Sequence, residues 1–151
     1  MNKLTIHSFP ILIVACALAS SARAVVTPTS LFSDNAVLQQ NAEIPVWGTA
    51  KDGEKVTVQF DGQSATTIAK DGKWMLRLNL HKAGGPFTMT IAGENTITIK
   101  NVLVGEVWVC SGQSNMNTGL DKTANAATDI AAANYPKIRL FVVEKKTALQ
   151  Q

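Results

Sequence analysis

The chain has 151 residues, 46% of them apolar and 17% charged. Low charge with ample Val, Ile and Leu excludes intrinsic disorder, and the length admits one or two small domains. With 14 basic and 11 acidic side chains the net charge is only +3, and no basic cluster is interleaved with aromatics, so no nucleic-acid partner is expected.

The N-terminus reads as an export signal. Lys3 supplies a positive start, Phe9 to Ala19 is an apolar run broken only by Pro10, and Ala22-Arg23-Ala24 is a small-residue cleavage site. This pattern predicts a secretory signal peptide over residues 1–24, too short and wrongly flanked for a stable membrane span. A competing reading takes Ile13-Val14-Ala15-Cys16 as a lipobox, which would leave a lipid anchor on Cys16. The apolar run continues through Ala17, Leu18 and Ala19, which favours simple cleavage after Ala24. Either reading sends the protein to the periplasm or the cell exterior. Lys3 and Arg23 leave with the signal, lowering the net charge to +1. Cys110 is then the remaining cysteine, so no intrachain disulfide is expected. No Cys/His cluster has the spacing of a zinc site.

From Val25 to Val104 the sequence predicts antiparallel β-structure of six to eight short strands. Asp52-Gly53, Asp61-Gly62 and Asp71-Gly72 recur at hairpin spacing, and Asp-Gly suits the φ > 0 positions of tight turns. Val56, Val58 and Phe60 alternate with Thr57 and Gln59. Trp74, Leu76, Leu78 and Leu80 alternate likewise, as do Phe87, Met89 and Ile91, then Ile97 and Ile99. Period-two patterning over several strands predicts sheets with one buried face, hence a β-sandwich of jelly-roll or Ig-like type. Gly84-Gly85-Pro86 reads as a turn or loop. Trp47 and Trp74 read as core rather than as sugar-stacking platforms.

Beyond Val104 the pattern changes. Val102 to Cys110 is almost continuously apolar, as in a strand buried on both faces of a parallel sheet. A polar turn, Ser111-Gly112-Gln113-Ser114-Asn115-Met116, follows. Lys122 to Asn134 is alanine-rich with Ala127, Ile130 and Ala131 at helical spacing, ended by Tyr135-Pro136. Ile138 to Val143 reads as another strand. Strand, turn, helix and strand open an α/β domain over residues 105–151, after the sandwich of residues 25–104. One such unit cannot cover both faces of a parallel sheet, so the α/β part is expected to be incomplete.

A serine between a buried strand and a helix has the placement of a nucleophile, because backbone N–H groups at the helix start can stabilise an oxyanion. Ser114 stands there. Gly112 permits a tight turn and leaves room for substrate, Gln113 completes the turn, and Asn115 can add a polar contact. A Ser-Asn pair is also an ordinary helix cap. Ser111 is a lesser candidate, and Cys110 has no visible activator and reads as an inert buried thiol. Met116 stands where a G-x-S-x-G elbow would carry its second glycine. Trp108 is expected to pack beside the nucleophile strand, and Glu106 to have a surface or hydrogen-bonding role.

The stretch from Gly105 through Trp108, Cys110, Ser111, Gly112, Gln113 and Ser114 to Met116 resembles the nucleophile block of the sialate O-acetylesterase family, a branch of the SGNH hydrolases. Leu31 to Gln40 resembles that family's N-terminal block. Ile44 to Ala50 with Gly53 to Val56 fits the next, and Ala131 to Phe141 the segment after the nucleophile. The resemblance spans nearly all of residues 27–145. It implies a β-sandwich leading into an SGNH-type α/β hydrolase domain, with Ser114 as nucleophile and its own N–H in the oxyanion hole. It also implies no metal, no organic cofactor, and an O-acetylated carbohydrate, sialic acid or another acetylated glycan, as substrate.

Such a serine needs a histidine base oriented by an acid, which this family carries far beyond the nucleophile in an Asp-x-x-His arrangement. The sequence has two histidines. His7 leaves with the signal, and His81 reads as an exposed structural residue at a strand end. Asp121 and Asp129 read as helix-surface groups. The expectation is therefore an N-terminal fragment of a carbohydrate esterase, inactive alone. Its alternatives are a non-catalytic β-sandwich that binds glycan or a partner chain, and an inactive truncated gene product.

Overall fold

The computed structural model describes residues 25–143. The expected signal peptide, the lipobox at Cys16 and the chain after Val143 lie outside these residues.

Eight strands occur among them: β1 (Thr27–Pro28), β2 (Val37–Gln39), β3 (Ile44–Thr49), β4 (Lys55–Phe60), β5 (Gln63–Ile68), β6 (Lys73–Leu78), β7 (Gly84–Ala92) and β8 (Thr96–Gly105). They form a three-stranded sheet, β1-β3-β6, and a five-stranded sheet, β2-β8-β7-β4-β5. Both sheets send alternate side chains into one hydrophobic cluster. Val46, Trp74, Leu76 and Leu78 come from the smaller sheet, and Val56, Val58, Phe60, Met89, Ile91, Ile99, Val102 and Val104 from the larger.

The alternation expected of β4, β6, β7 and β8 is therefore what fills the core. It breaks at two places. β6 ends at Leu78, leaving Leu80 exposed. In β8, Lys100 and Asn101 both face outward and Asn101 has φ of 57°. Met89 opposes Ile99 while Phe87 opposes Val102, so the extra residue is a β-bulge. Trp74 is buried and donates its indole N–H to the Thr49 carbonyl at 3.1 Å. Trp47 packs edge-on against Phe32 with ring centroids 5.0 Å apart. Trp74 is core, as expected, whereas Trp47 is half-buried and packs against the edge of the cluster.

Two Asp-Gly pairs close two-residue hairpins, Asp61-Gly62 between β4 and β5 and Asp71-Gly72 across a single Lys70–Lys73 bridge. Asp61 and Gly62 both have positive φ, 40° and 77°, and join the paired strands β4 and β5; two left-handed residues in a two-residue loop make the type I′ turn. Asp71 and Gly72 are also both left-handed, but they carry the chain from the larger sheet to the smaller. Asp52-Gly53 links the sheets in the other direction, with only Gly53 left-handed. Gly84-Gly85-Pro86 is not a free loop: it begins β7, and Gly84 pairs with Val104.

The structure is not wholly antiparallel, because β2 runs parallel to β8, with Val37 opposite Leu103. This pairing explains the apolar run at Val102-Leu103-Val104. Val102 and Val104 face the core, and Leu103 is half-buried on the opposite side of the strand.

After Gly105 the expected α/β elements form only in part. The strand foreseen to Cys110 stops at Gly105, and Trp108 and Val109 are 83% and 92% exposed. The helix is shorter than expected, Ala126–Ala132 (α1), with no buried residue. Ile138 to Val143 forms no strand, and Leu140 is 92% exposed. A strand exists by pairing, and the described residues contain no third sheet for these segments to join. No helix among the described residues is long and apolar enough to cross a membrane.

Candidate functional site

The candidate nucleophile, Ser114, is not at a strand end as expected: β8 stops at Gly105, and an irregular stretch separates the two. Glu106, the first residue after the strand, is held by the end of β2. Gln39 donates its amide to Glu106 Oε2 at 3.2 Å, and Gln40 donates to Oε1. These two amides hold the Glu106 carboxyl below its usual pKa. The Gln39 side-chain oxygen accepts the Val107 N–H at 2.9 Å, and the Gln40 N–H bonds the Gly105 carbonyl at 2.8 Å. The hydrogen-bonding role expected of Glu106 is therefore met.

From Val107 to Gln113 the chain is irregular and exposed. Trp108 does not pack beside a strand and Cys110 is exposed rather than buried, because the strand that would bury them has ended. A 3₁₀ turn follows over Ser114–Asn117. Ser114 is exposed at its first position. The amides of a helical turn's first residues have no partner within it, and Ser114 and Asn115 occupy those positions. The turn closes through Met116 N–H to the Gln113 carbonyl at 3.0 Å and Thr118 N–H to the Asn115 carbonyl at 3.2 Å. A Cβ on Gly112 would lie 2.5 Å from Met116 Cγ. The space that glycine leaves is thus occupied by Met116 rather than open to substrate. Ser111 is exposed in the same loop.

His81 is placed elsewhere and differently from expectation. Its side chain is 17% exposed, wedged between Phe60 and Phe87 with ring centroids 5.6 and 5.0 Å away. Nε2 faces Asp61 Oδ2 at 2.7 Å and Nδ1 faces the Lys82 carbonyl at 2.6 Å. Both partners are acceptors, so both ring nitrogens carry hydrogen. The hydrogen bond to Asp61, then that to Lys82, raises the imidazole pKa. A doubly donating imidazolium has no lone pair with which to take a proton. Asp121 and Asp129 are exposed, Asp121 paired with Lys122 at 2.9 Å. The Asp61–His81 pairing, between residues 20 apart, carries no sequence signal beyond the shared end of two neighbouring strands.

Among the described residues no group of three His, Cys, Asp or Glu side chains is placed to hold a metal ion.

No protein-family model matches the chain. The sialate O-acetylesterase of Homo sapiens is 32% identical over 81% of this chain and 26% of its own length. That of Mus musculus is 34% identical over 65% of this chain and 20% of its own. The chain belongs to the sialate O-acetylesterase family. A crystal structure of a carbohydrate acetylesterase from Xanthomonas citri superimposes with a TM-score of 0.72 and 38% identity, covering 74% of this chain and 26% of that one. The chain thus spans about a fifth to a quarter of the length of these relatives. The Leu31–Gln40 block and the nucleophile block, far apart in sequence, meet at the Gln39–Gln40–Glu106 contact.

Proposed function

We propose that this chain carries the nucleophile of an exported carbohydrate O-acetylesterase, and that Ser114 is that nucleophile. The two sheets are read as a β-sandwich of jelly-roll or Ig-like type, and residues 105–151 as the opening of an SGNH-type hydrolase domain. One observation carries the reading. In a member of the sialate O-acetylesterase family, the serine of the nucleophile-like block stands exposed at the start of a 3₁₀ turn. In the proposed reaction Ser114 Oγ attacks the acetyl carbonyl while its proton passes to a base. The tetrahedral oxyanion is held by backbone N–H groups of the turn, Ser114's own among them. The ester C–O bond breaks, the sugar alcohol leaves with a proton, and water releases acetate from the acyl-serine. Gly112, Gln113 and Asn115 shape the turn. The scheme uses no metal or cofactor.

The proposed base is not His81, whose two nitrogens are both committed as donors. Purified residues 25–151 are therefore expected to release no acetate from an O-acetylated sugar. Acetate release abolished by Ser114→Ala would show that this chain supplies its own base and overturn that expectation.

A second reading rests on a shallow open depression, as apolar as it is polar, lined by Gln59, Phe60, Gln63, Ser64, Thr88 and Thr90. In it the two-sheet unit binds glycan without catalysis. Calorimetric titration with acetylated and deacetylated oligosaccharides tests it, and absence of saturable heat would exclude it.

A further inference from the structure

Among the described residues, the side-chain hydrogen bonds from residues 106–143 to the strands and their loops fall into two groups. The first is the contact at the end of β2, where Gln39 receives the Val107 N–H while its own amide is oriented by Glu106. The second lies at the β8 bulge. Arg139 donates to the Asn101 carbonyl and, at 3.1 Å, to Asn101 Oδ1. Asn101 in turn donates to Asn35 Oδ1 at 2.7 Å. Both groups close on the same short stretch, Asn35 to Gln40, and they bracket the segment that bears Ser114.

We propose that Gln39, Gln40 and Glu106 at one end, and Asn35, Asn101 and Arg139 at the other, are positioning residues. They dock the Ser114 segment on the two-sheet unit and fix where the serine is presented. The proposal rests on the reading of Ser114 as nucleophile. Glu106 acts through Gln39: without the carboxylate, the Gln39 amide keeps only its bond to the Gln40 carbonyl at 3.2 Å, and its oxygen is held less firmly on the Val107 N–H. An exposed carboxylate held by two neutral amides contributes little to the hydrophobic core, so its effect is on the direction of the chain rather than on folding.

The test is amide hydrogen exchange and nitrogen relaxation on the purified chain. Glu106→Ala is expected to speed exchange at Val107 roughly tenfold, the loss of about one hydrogen bond. It should also lower the backbone order parameter of Ser114 while leaving the thermal midpoint unchanged. Gln40→Glu combined with Glu106→Gln restores an amide–carboxylate pair with the roles exchanged, and should recover both values. Arg139→Ala should lower the order parameter at Ser114 and leave Val107 exchange alone. The proposal is overturned if Val107 in the unaltered chain exchanges as fast as a free peptide amide, or if Glu106→Ala leaves Ser114 equally ordered. Neither outcome depends on catalysis, so failure of the esterase reading would be seen separately, as acetate release indifferent to Ser114.

Discussion

Gly48→Ala is a sharp test of the packing described above. Gly48 lies in β3 opposite Pro28 of β1. An added Cβ would sit 2.0 Å from the Thr27 carbonyl oxygen and 2.7 Å from Pro28 Cα. Both are backbone atoms, so no rotamer change relieves the clash and β1 must move. Moving β1 exposes the neighbouring Val26, which is fully buried, at about 1.5–3 kcal/mol. It also weakens the pairing with β3 and the Thr29 N–H bond to the Trp47 carbonyl, at about 1 kcal/mol each. The sum is roughly 3–5 kcal/mol, a large part of a small domain's stability. Urea unfolding followed by tryptophan fluorescence measures it directly. A loss below about 1 kcal/mol, the ordinary effect of a single substitution, would mean that β1 is not seated as described.

Three further outcomes follow from individual contacts. The raised His81 pKa stabilises the fold fully below the unfolded value of about 6.5, and the gain is lost as pH rises through the folded value; the charged group facing it is Asp61. Unfolding at about pH 5.5 and about pH 9 should show that loss, and His81→Gln should flatten it; equal pH dependence in the two proteins would refute the link. Glu54, the buried carboxylate, accepts the Lys51 N–H at 3.1 Å and the Glu94 N–H at 2.8 Å. Glu54→Ala leaves both amides unpaired and should cost about 2–4 kcal/mol by chemical denaturation, with Glu54→Gln costing less. Ser114 is exposed, so Ser114→Ala should leave stability within about 0.5 kcal/mol by the same assay.

The strands were legible because their side chains alternate against a single core. Val56, Val58 and Phe60 could be read from periodicity alone, and all three are buried. Where a segment's fate depends on its partner, periodicity was silent. The run at Val102 to Val104 looks like a strand covered on both faces. Nothing local says that it pairs in parallel with the three residues of β2. Val107 to Cys110 and Ile138 to Val143 are apolar enough for strands, yet a strand needs a neighbour, and none is available to them among the described residues. His81 was misjudged for a similar reason. The sequence reads it as a solvent-facing strand end, but it lies in the connection between β6 and β7, where Asp61, Phe60 and Phe87 enclose it. Ser114 reads from the sequence as a corner between a buried strand and a helix; it is exposed at the start of a 3₁₀ turn, separated from β8 by the irregular stretch Val107 to Gln113. The motif around it is local, and local chemistry is what a sequence displays best.

The role of Ser114 is most directly measured in a chimera. Residues 25–143 of this chain would replace the corresponding part of the Xanthomonas citri carbohydrate acetylesterase, which matches 74% of this chain at 38% identity. Acetate release from an O-acetylated sugar is then followed with and without Ser114→Ala. A folded chimera that deacetylates the sugar and loses that activity with the serine is the predicted result. Activity that survives Ser114→Ala, in a chimera with unchanged stability, would contradict it.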